Sequence, residues 1–128
     1  MICSKMLGVV YETNDRTYAR NISGSGKTHN KYYVHGDKKS AFEELDGKKF
    51  GACSTHRCRE SAEVTAHVWV NGHEGAFLTP LCRRCNNPNN YMEFRLKKKS
   101  PIIPLVKINN FIIKTNPIFN PLVDSKTV

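Results

Sequence analysis

A chain of 128 residues is the size of one domain, and on folding it should bury roughly two-thirds of its unfolded surface, which allows one modest core. At 39% hydrophobic residues it is too apolar for a disordered chain, while Lys107 and Lys114 keep its oily C-terminal region short of the roughly 20 residues of a membrane span. Twenty Lys and Arg against eleven Asp and Glu give a formal charge of +9, which favours polyanionic partners, DNA or RNA first, although many small proteins are basic for solubility alone.

Residues 1–11 contain Lys5 and a short apolar run but no full-length hydrophobic region and no small-residue cleavage site, so secretion is not indicated. The expectation is an intracellular protein, cytoplasmic or nuclear, with no membrane partner, whose thiols stay reduced. Residues 6–13 and 17–22 read as two strands of a β-hairpin around Asn14-Asp15-Arg16. Ser23-Gly24-Ser25-Gly26-Lys27-Thr28 resembles part of a phosphate-binding loop. That motif needs a glycine where Asn21 stands and a helix where Tyr32-Tyr33-Val34 predicts a strand, so nucleotide hydrolysis is rejected in favour of a flexible basic loop.

Ser40 and Glu43 have the spacing of a capping box, with Gly47 ending the short helix and Phe42 and Leu45 facing inward. Residues 64–70 form the clearest strand, and Asn71-Gly72 predicts a two-residue turn into a second strand at 73–79. Alternation places Val64, Ala66, Val68 and Val70 on a core face and Thr65, His67 and Trp69 on the other. Pro80 should end the strand, and Asn87-Pro88 should open a helix running to about Lys99, with Tyr91, Phe94 and Leu96 packed. Arg95, Lys97, Lys98 and Lys99 would then suit the end of that helix dipole. Beyond Ser100, prolines at 101, 104, 117 and 121 punctuate apolar runs, and Asn109-Asn110 predicts a hairpin turn. The expected layout is one α+β domain over residues 1–99, with a compact core at 51–99, and an apolar extension at 100–128 that packs on the domain, self-associates, meets a protein partner or stays partly mobile.

Five cysteines are present, and four of them are paired: Cys53-x4-Cys58 and Cys82-x2-Cys85, separated by 23 residues that suffice for the hairpin between them. Zinc takes four such ligands in a tetrahedron, two from each tight turn. Arg57, Arg59, Arg83 and Arg84 would lower the thiol pKa values and favour thiolates. The four-residue gap is looser than the common two, so His56 is an alternative ligand, with His67 or His73 as further competitors. A redox Cys82-x2-Cys85 pair would need a βαβ context that is absent, and Cys3 is left as a free thiol.

The order of zinc knuckle, hairpin and knuckle-plus-helix resembles a treble clef, and in particular the HNH family of ββα-metal endonucleases. The likeness rests on Ala66-His67-Val68 and on Phe77-Leu78-Thr79-Pro80-Leu81-Cys82-Arg83-Arg84-Cys85-Asn86, within residues 51–95. It implies His67 as general base and Asn86 as a ligand of a catalytic divalent ion, Mg2+ or Mn2+, if the protein is a nuclease. Ala66 stands where the family typically has Asp or His, and Phe77 where it commonly has Asn. With Asn71-Gly72 as the turn these two would be cross-strand neighbours, so the catalytic set is incomplete. The functional expectation is therefore a structural Zn2+ module that binds DNA or RNA without cutting it, through Arg83, Arg84, Arg95, Lys97, Lys98 and Lys99. The alternatives are an active HNH-type nuclease and a protein-interaction module using the hairpin and residues 101–128.

Overall fold

The computed structural model describes residues 10–22, 37–87, 89–90 and 92–115. Cys3, His29, His35, the basic loop at 23–28, the strand expected at 32–34 and the extension beyond residue 115 lie outside them. Among the described residues the chain is α+β: a six-stranded antiparallel sheet in the order β1-β6-β4-β3-β2-β5, with two helices. The strands are β1 (Tyr11–Glu12), β2 (Tyr18–Asn21), β3 (Val64–Val70), β4 (Ala76–Leu81), β5 (Phe94–Arg95) and β6 (Pro101–Pro104), and the helices α1 (Lys38–Asp46) and α2 (Leu105–Thr115).

The β3–β4 hairpin is the centre of the sheet, as its β-branched and aromatic run predicts. Its register differs from the expected one. The Asn71-Gly72 turn is followed by a further excursion through Gly75, and both Gly72 and Gly75 take positive φ (80° and 81°). Trp69 therefore lies opposite Ala76, Val68 opposite Phe77 and Ala66 opposite Thr79, a shift of two residues that keeps the same side chains on each face. Ala66 and Phe77 are thus not direct partners.

Pro80 does not end β4, which continues to Leu81. In an extended strand the N–H and C=O of one residue point the same way, and the Pro80 carbonyl accepts from Ser54 N at 2.9 Å, on the side away from β3. The missing N–H accordingly removes no bond from the β3–β4 ladder.

Three other expectations are corrected. β1 and β2 flank the turn at Asn14, whose Oδ1 accepts from Arg16 N at 2.7 Å, but they pair with β6 and β3 rather than with each other. β6 offers β1 a more apolar partner than β2 would, and the seven-residue β3 offers β2 a longer one than the two-residue β1. The helix expected after Asn87 is absent at Phe94–Arg95, which pairs with β2, and among the described residues the next helix starts at Leu105. That helix runs through Asn109-Asn110 without a hairpin turn, because Leu105, Ile108 and Ile112 keep a helical stripe that is buried. Residues 101–104 sit inside the sheet between β1 and β4.

In α1 the cap is Asp37, which accepts from Ser40 N at 3.0 Å, so the first turn begins before the capping-box serine. Gly47 closes the helix in the left-handed region at φ 87°, and Phe42 and Leu45 are buried, as the sequence predicts. Leu78 and Ile103 face α1 and α2, forming a core with Phe42, Ile108 and Ile112. On the opposite face Ala66, Val68, Phe77, Leu81 and Ile102 pack with the cysteines. The sheet thus separates a helical layer from a cysteine layer, and β4 is buried on both sides.

Candidate metal centre

The first cysteine loop is closed by its own backbone. Ala52 bridges Ser61, Cys53 N donates to the Glu60 carbonyl at 2.9 Å, and Cys58 N donates to the Thr55 carbonyl at 3.0 Å. Arg57 adopts φ 69°, and this left-handed residue folds the longer x4 spacing back so that Cys58 meets Cys53. The loop is fastened to β4 by Thr79, fully buried, whose Oγ1 lies 3.0 Å from both Ser54 Oγ and the Pro101 carbonyl.

The second loop leaves β4 directly at Cys82. Cys85 N points at Cys82 Sγ (3.4 Å), and Asn86 N donates to the Cys82 carbonyl at 3.0 Å. Asn21 on β2 donates its Nδ2 to the carbonyls of Cys85 and Asn90, each at 2.9 Å, and Asn90 Nδ2 donates to the same Cys85 carbonyl. A side chain distant in sequence therefore fixes the turn that carries the last thiol.

These loops bring Cys53, Cys58, Cys82 and Cys85 together with all four sulfurs within 4.8 Å of one another, and Cys58 and Cys82 at 3.9 Å. A disulfide requires about 2.05 Å. Four sulfurs each about 2.3 Å from a central ion are about 3.8 Å apart, so the observed spacing fits a tetrahedral metal site. Cys53, Cys58 and Cys82 are buried and Cys85 partly exposed, so the protein could supply all four ligands of such a site.

The electrostatics favour a cation. Burial opposes ionisation of Cys58, but hydrogen bonds to its sulfur from the Glu60 amide and the neighbouring thiols outweigh burial and bring its pKa down to about 7. Burial raises Cys82, and burial together with the adjacent sulfurs pushes Cys85 up to about 12. Crowded thiols cannot all ionise without a counter-charge, which a divalent ion supplies. Arg84 Nη2 lies 3.7 Å from Cys58 Sγ, and this contact raises the arginine's own pKa. Arg83 is held instead by Glu63, which accepts from its amide at 3.1 Å and pairs with its Nε at 3.5 Å.

The other predicted residues are placed as follows. His56 is not among the four clustered ligands; its amide donates to the Arg95 carbonyl at 2.8 Å, and burial followed by the charges of Arg95, Arg57 and Lys97 lowers its pKa. His67 is half-buried opposite Leu78, on the helical face of the sheet, whereas the cysteines pack against the Ala66 and Val68 face. Asn86 lies in the second cysteine turn. His73 stacks on Tyr11 at 6.0 Å and meets Phe77 edge-on at 5.3 Å. Lys97, Lys98 and Lys99 occupy a tight turn with Lys99 at φ 65°. Thr13 ties that turn down: its carbonyl accepts from Lys99 N at 2.8 Å and its hydroxyl donates to the Lys97 carbonyl. Thr13 and Asn21 were not legible as site residues, since neither belongs to a motif.

The four sulfurs define a cluster that can hold one metal ion. No protein-family model, no curated protein and no solved structure matches this chain. No helix of the described residues is long and apolar enough to cross a membrane.

Proposed function

We propose that this protein is a zinc-stabilised nucleic-acid-binding module without catalytic activity, retaining the knuckle, hairpin, knuckle order of HNH-like, treble-clef domains as a scaffold. The observation that carries the reading is the gathering of four thiols within 4.8 Å at the foot of the central hairpin. An all-sulfur, closed, tetrahedral donor set suits Zn2+ in a structural role, and a core this small gains from such a staple. The polyanion half of the reading is supported by the charge of +9 and by a lysine turn held in a fixed shape. Arg83, Arg84, Arg95 and Lys97 to Lys99 are the phosphate contacts, which position a nucleic acid without reading its sequence. Arg83 and Arg84 also serve Glu63 and Cys58, so the lysine turn bears the larger share.

Binding is favoured over cleavage because the hairpin face beside the cysteines is filled by Ala66, Val68 and Phe77, while His67 lies on the far face. A nuclease would need Mg2+ or Mn2+ held beside His67 and Asn86. The test is fluorescence anisotropy with labelled single- and double-stranded oligonucleotides. Affinity should fall about a hundredfold between 50 and 200 mM KCl, the loss expected of about four phosphate contacts. No binding at 50 mM KCl would refute the reading. Supercoiled plasmid should stay intact with Mg2+ or Mn2+, whereas nicking abolished by His67→Ala would establish the nuclease instead.

A further inference from the structure

Lys48 and Lys49 follow the α1 cap, and Lys97, Lys98 and Lys99 form the turn before β6, yet both groups line one concave pocket of about 220 Å³. Its floor is Phe50, Gly51, Cys53, Ser54 and Pro80, where the start of the first cysteine loop meets β4. Lys48, Lys49, Lys98 and Lys99 are exposed and Lys97 half-buried, so the stems shape the walls while the ammonium groups reach solvent. None of the five forms an ion pair with a described residue. Five like charges gathered around one concavity, with low-dielectric walls, raise the local positive potential and attract an anion to it.

Two features oppose an anion there: the Asp46 carboxyl lines the pocket, and the C-terminus of α1 brings about half a negative charge. Five ammonium groups outweigh both. Among the described residues the exposed large apolar side chains Tyr11, Tyr18, Trp69, Met92 and Val106 lie outside the pocket, whose one aromatic lining residue is the half-buried Phe50, so it lacks the cluster of exposed aromatic anchors of a protein interface and the apolar wedge of a membrane-inserting surface. Lysines act as point charges and serve as ordinary phosphate binders, and their spread along two walls suits a repeating, singly charged phosphodiester backbone.

We infer that this pocket is the seat of a nucleic-acid backbone, with phosphodiesters gripped between Lys48-Lys49 on one wall and the Lys97 to Lys99 turn on the other. This rests on the nucleic-acid reading above and adds to it a groove and two residues that the sequence motifs did not single out. Because the floor is the Cys53 loop, the groove exists in its fitted shape only when that loop is folded.

The experiment is the same anisotropy titration applied to the full chain carrying Lys48→Glu and Lys49→Glu together, with Lys107→Glu and Lys114→Glu together as a control of equal charge change on the exposed side of α2. Zinc content and circular dichroism establish that both variants are folded. The pocket variant should lose at least tenfold in affinity at 100 mM KCl and lower the slope of log Kd against log salt by about two, one for each lost phosphate contact. The control should change affinity less than threefold. Wild-type binding with equal losses in the two variants would overturn the groove and leave the nucleic-acid reading standing. Failure of the wild type to bind any oligonucleotide overturns both, and binding only to vesicles of anionic phospholipid, lost in the pocket variant, would assign the pocket to a different polyanion.

Discussion

Lys97 N donates to the Ser54 carbonyl at 2.7 Å, which hangs the lysine turn from the loop that carries Cys53. The bridge between Thr55 and Leu96 and the bond from His56 N to the Arg95 carbonyl extend this pairing over residues 54–56 of the first cysteine loop. Metal site and basic turn are one mechanical unit. Stripping the metal with a strong chelator should therefore weaken oligonucleotide binding at least tenfold, and adding back Zn2+ should restore it. Equal affinity of metal-free and zinc-loaded protein would show that the turn stands without the loop.

Single-ligand substitutions should be severe. Cys82→Ser removes a fully packed sulfur from a site whose metal, in small zinc domains, contributes about 10–16 kcal/mol to folding, so a loss of about 3 kcal/mol or more is expected. Chemical denaturation read by Trp69 fluorescence would measure it. His56→Ala should retain one zinc per chain and lose little stability. The reverse ranking would move the fourth ligand from a cysteine to His56.

The pH dependence of zinc uptake and that of metal-free folding should have opposite signs above pH 9, while between about pH 7 and 9 the lowered Cys58 thiol adds stability to the metal-free chain as pH rises. In the metal-free chain Cys82 and Cys85 are raised, so both hold protons at pH 7, and zinc uptake must expel them. Zinc affinity should accordingly rise with pH, with about two or more protons released per ion at pH 7, measurable by calorimetry in buffers of different ionisation heat. For folding of the metal-free chain the raised Cys85 pKa favours the folded state below its ordinary value of 9.0, and that contribution is lost as pH climbs toward about 12. Zinc uptake without proton release would contradict the thiol assignment.

Arg57 sits at φ 69°, where a β-branched residue is strained. Arg57→Val should destabilise the zinc form by about 1–2 kcal/mol, while Arg57→Gly should be neutral or slightly stabilising. Thermal melts of the two variants would decide. Equal melting temperatures would mean that the loop closes by another route.

The cysteine site was legible because its chemistry is local: two pairs of ligands at turn spacing around a hairpin written in β-branched residues and Asn71-Gly72. What could not be read was whatever depends on partners far along the chain. β1 and β2 look like a hairpin in isolation, and only the availability of β6 and β3 separates them. Phe94 and Leu96 fit a helical stripe equally well, but β2 offers an open edge and the first cysteine loop a backbone partner. The proline-punctuated run after Ser100 looked peripheral because Pro101 and Pro104 frame a strand whose inner residues, Ile102 and Ile103, face opposite layers of the core. The hairpin register slipped by two because the turn signal marks where a chain reverses and not how many residues it takes. Lys48-Lys49 meeting Lys97 to Lys99 is likewise a product of folding.

The central claim is that one zinc ion is held by Cys53, Cys58, Cys82 and Cys85. X-ray absorption at the zinc edge of the purified, zinc-loaded chain tests it most directly. The prediction is a single shell of four sulfurs at about 2.3 Å. A shell containing nitrogen or oxygen, or a chain that takes up no zinc, would contradict it.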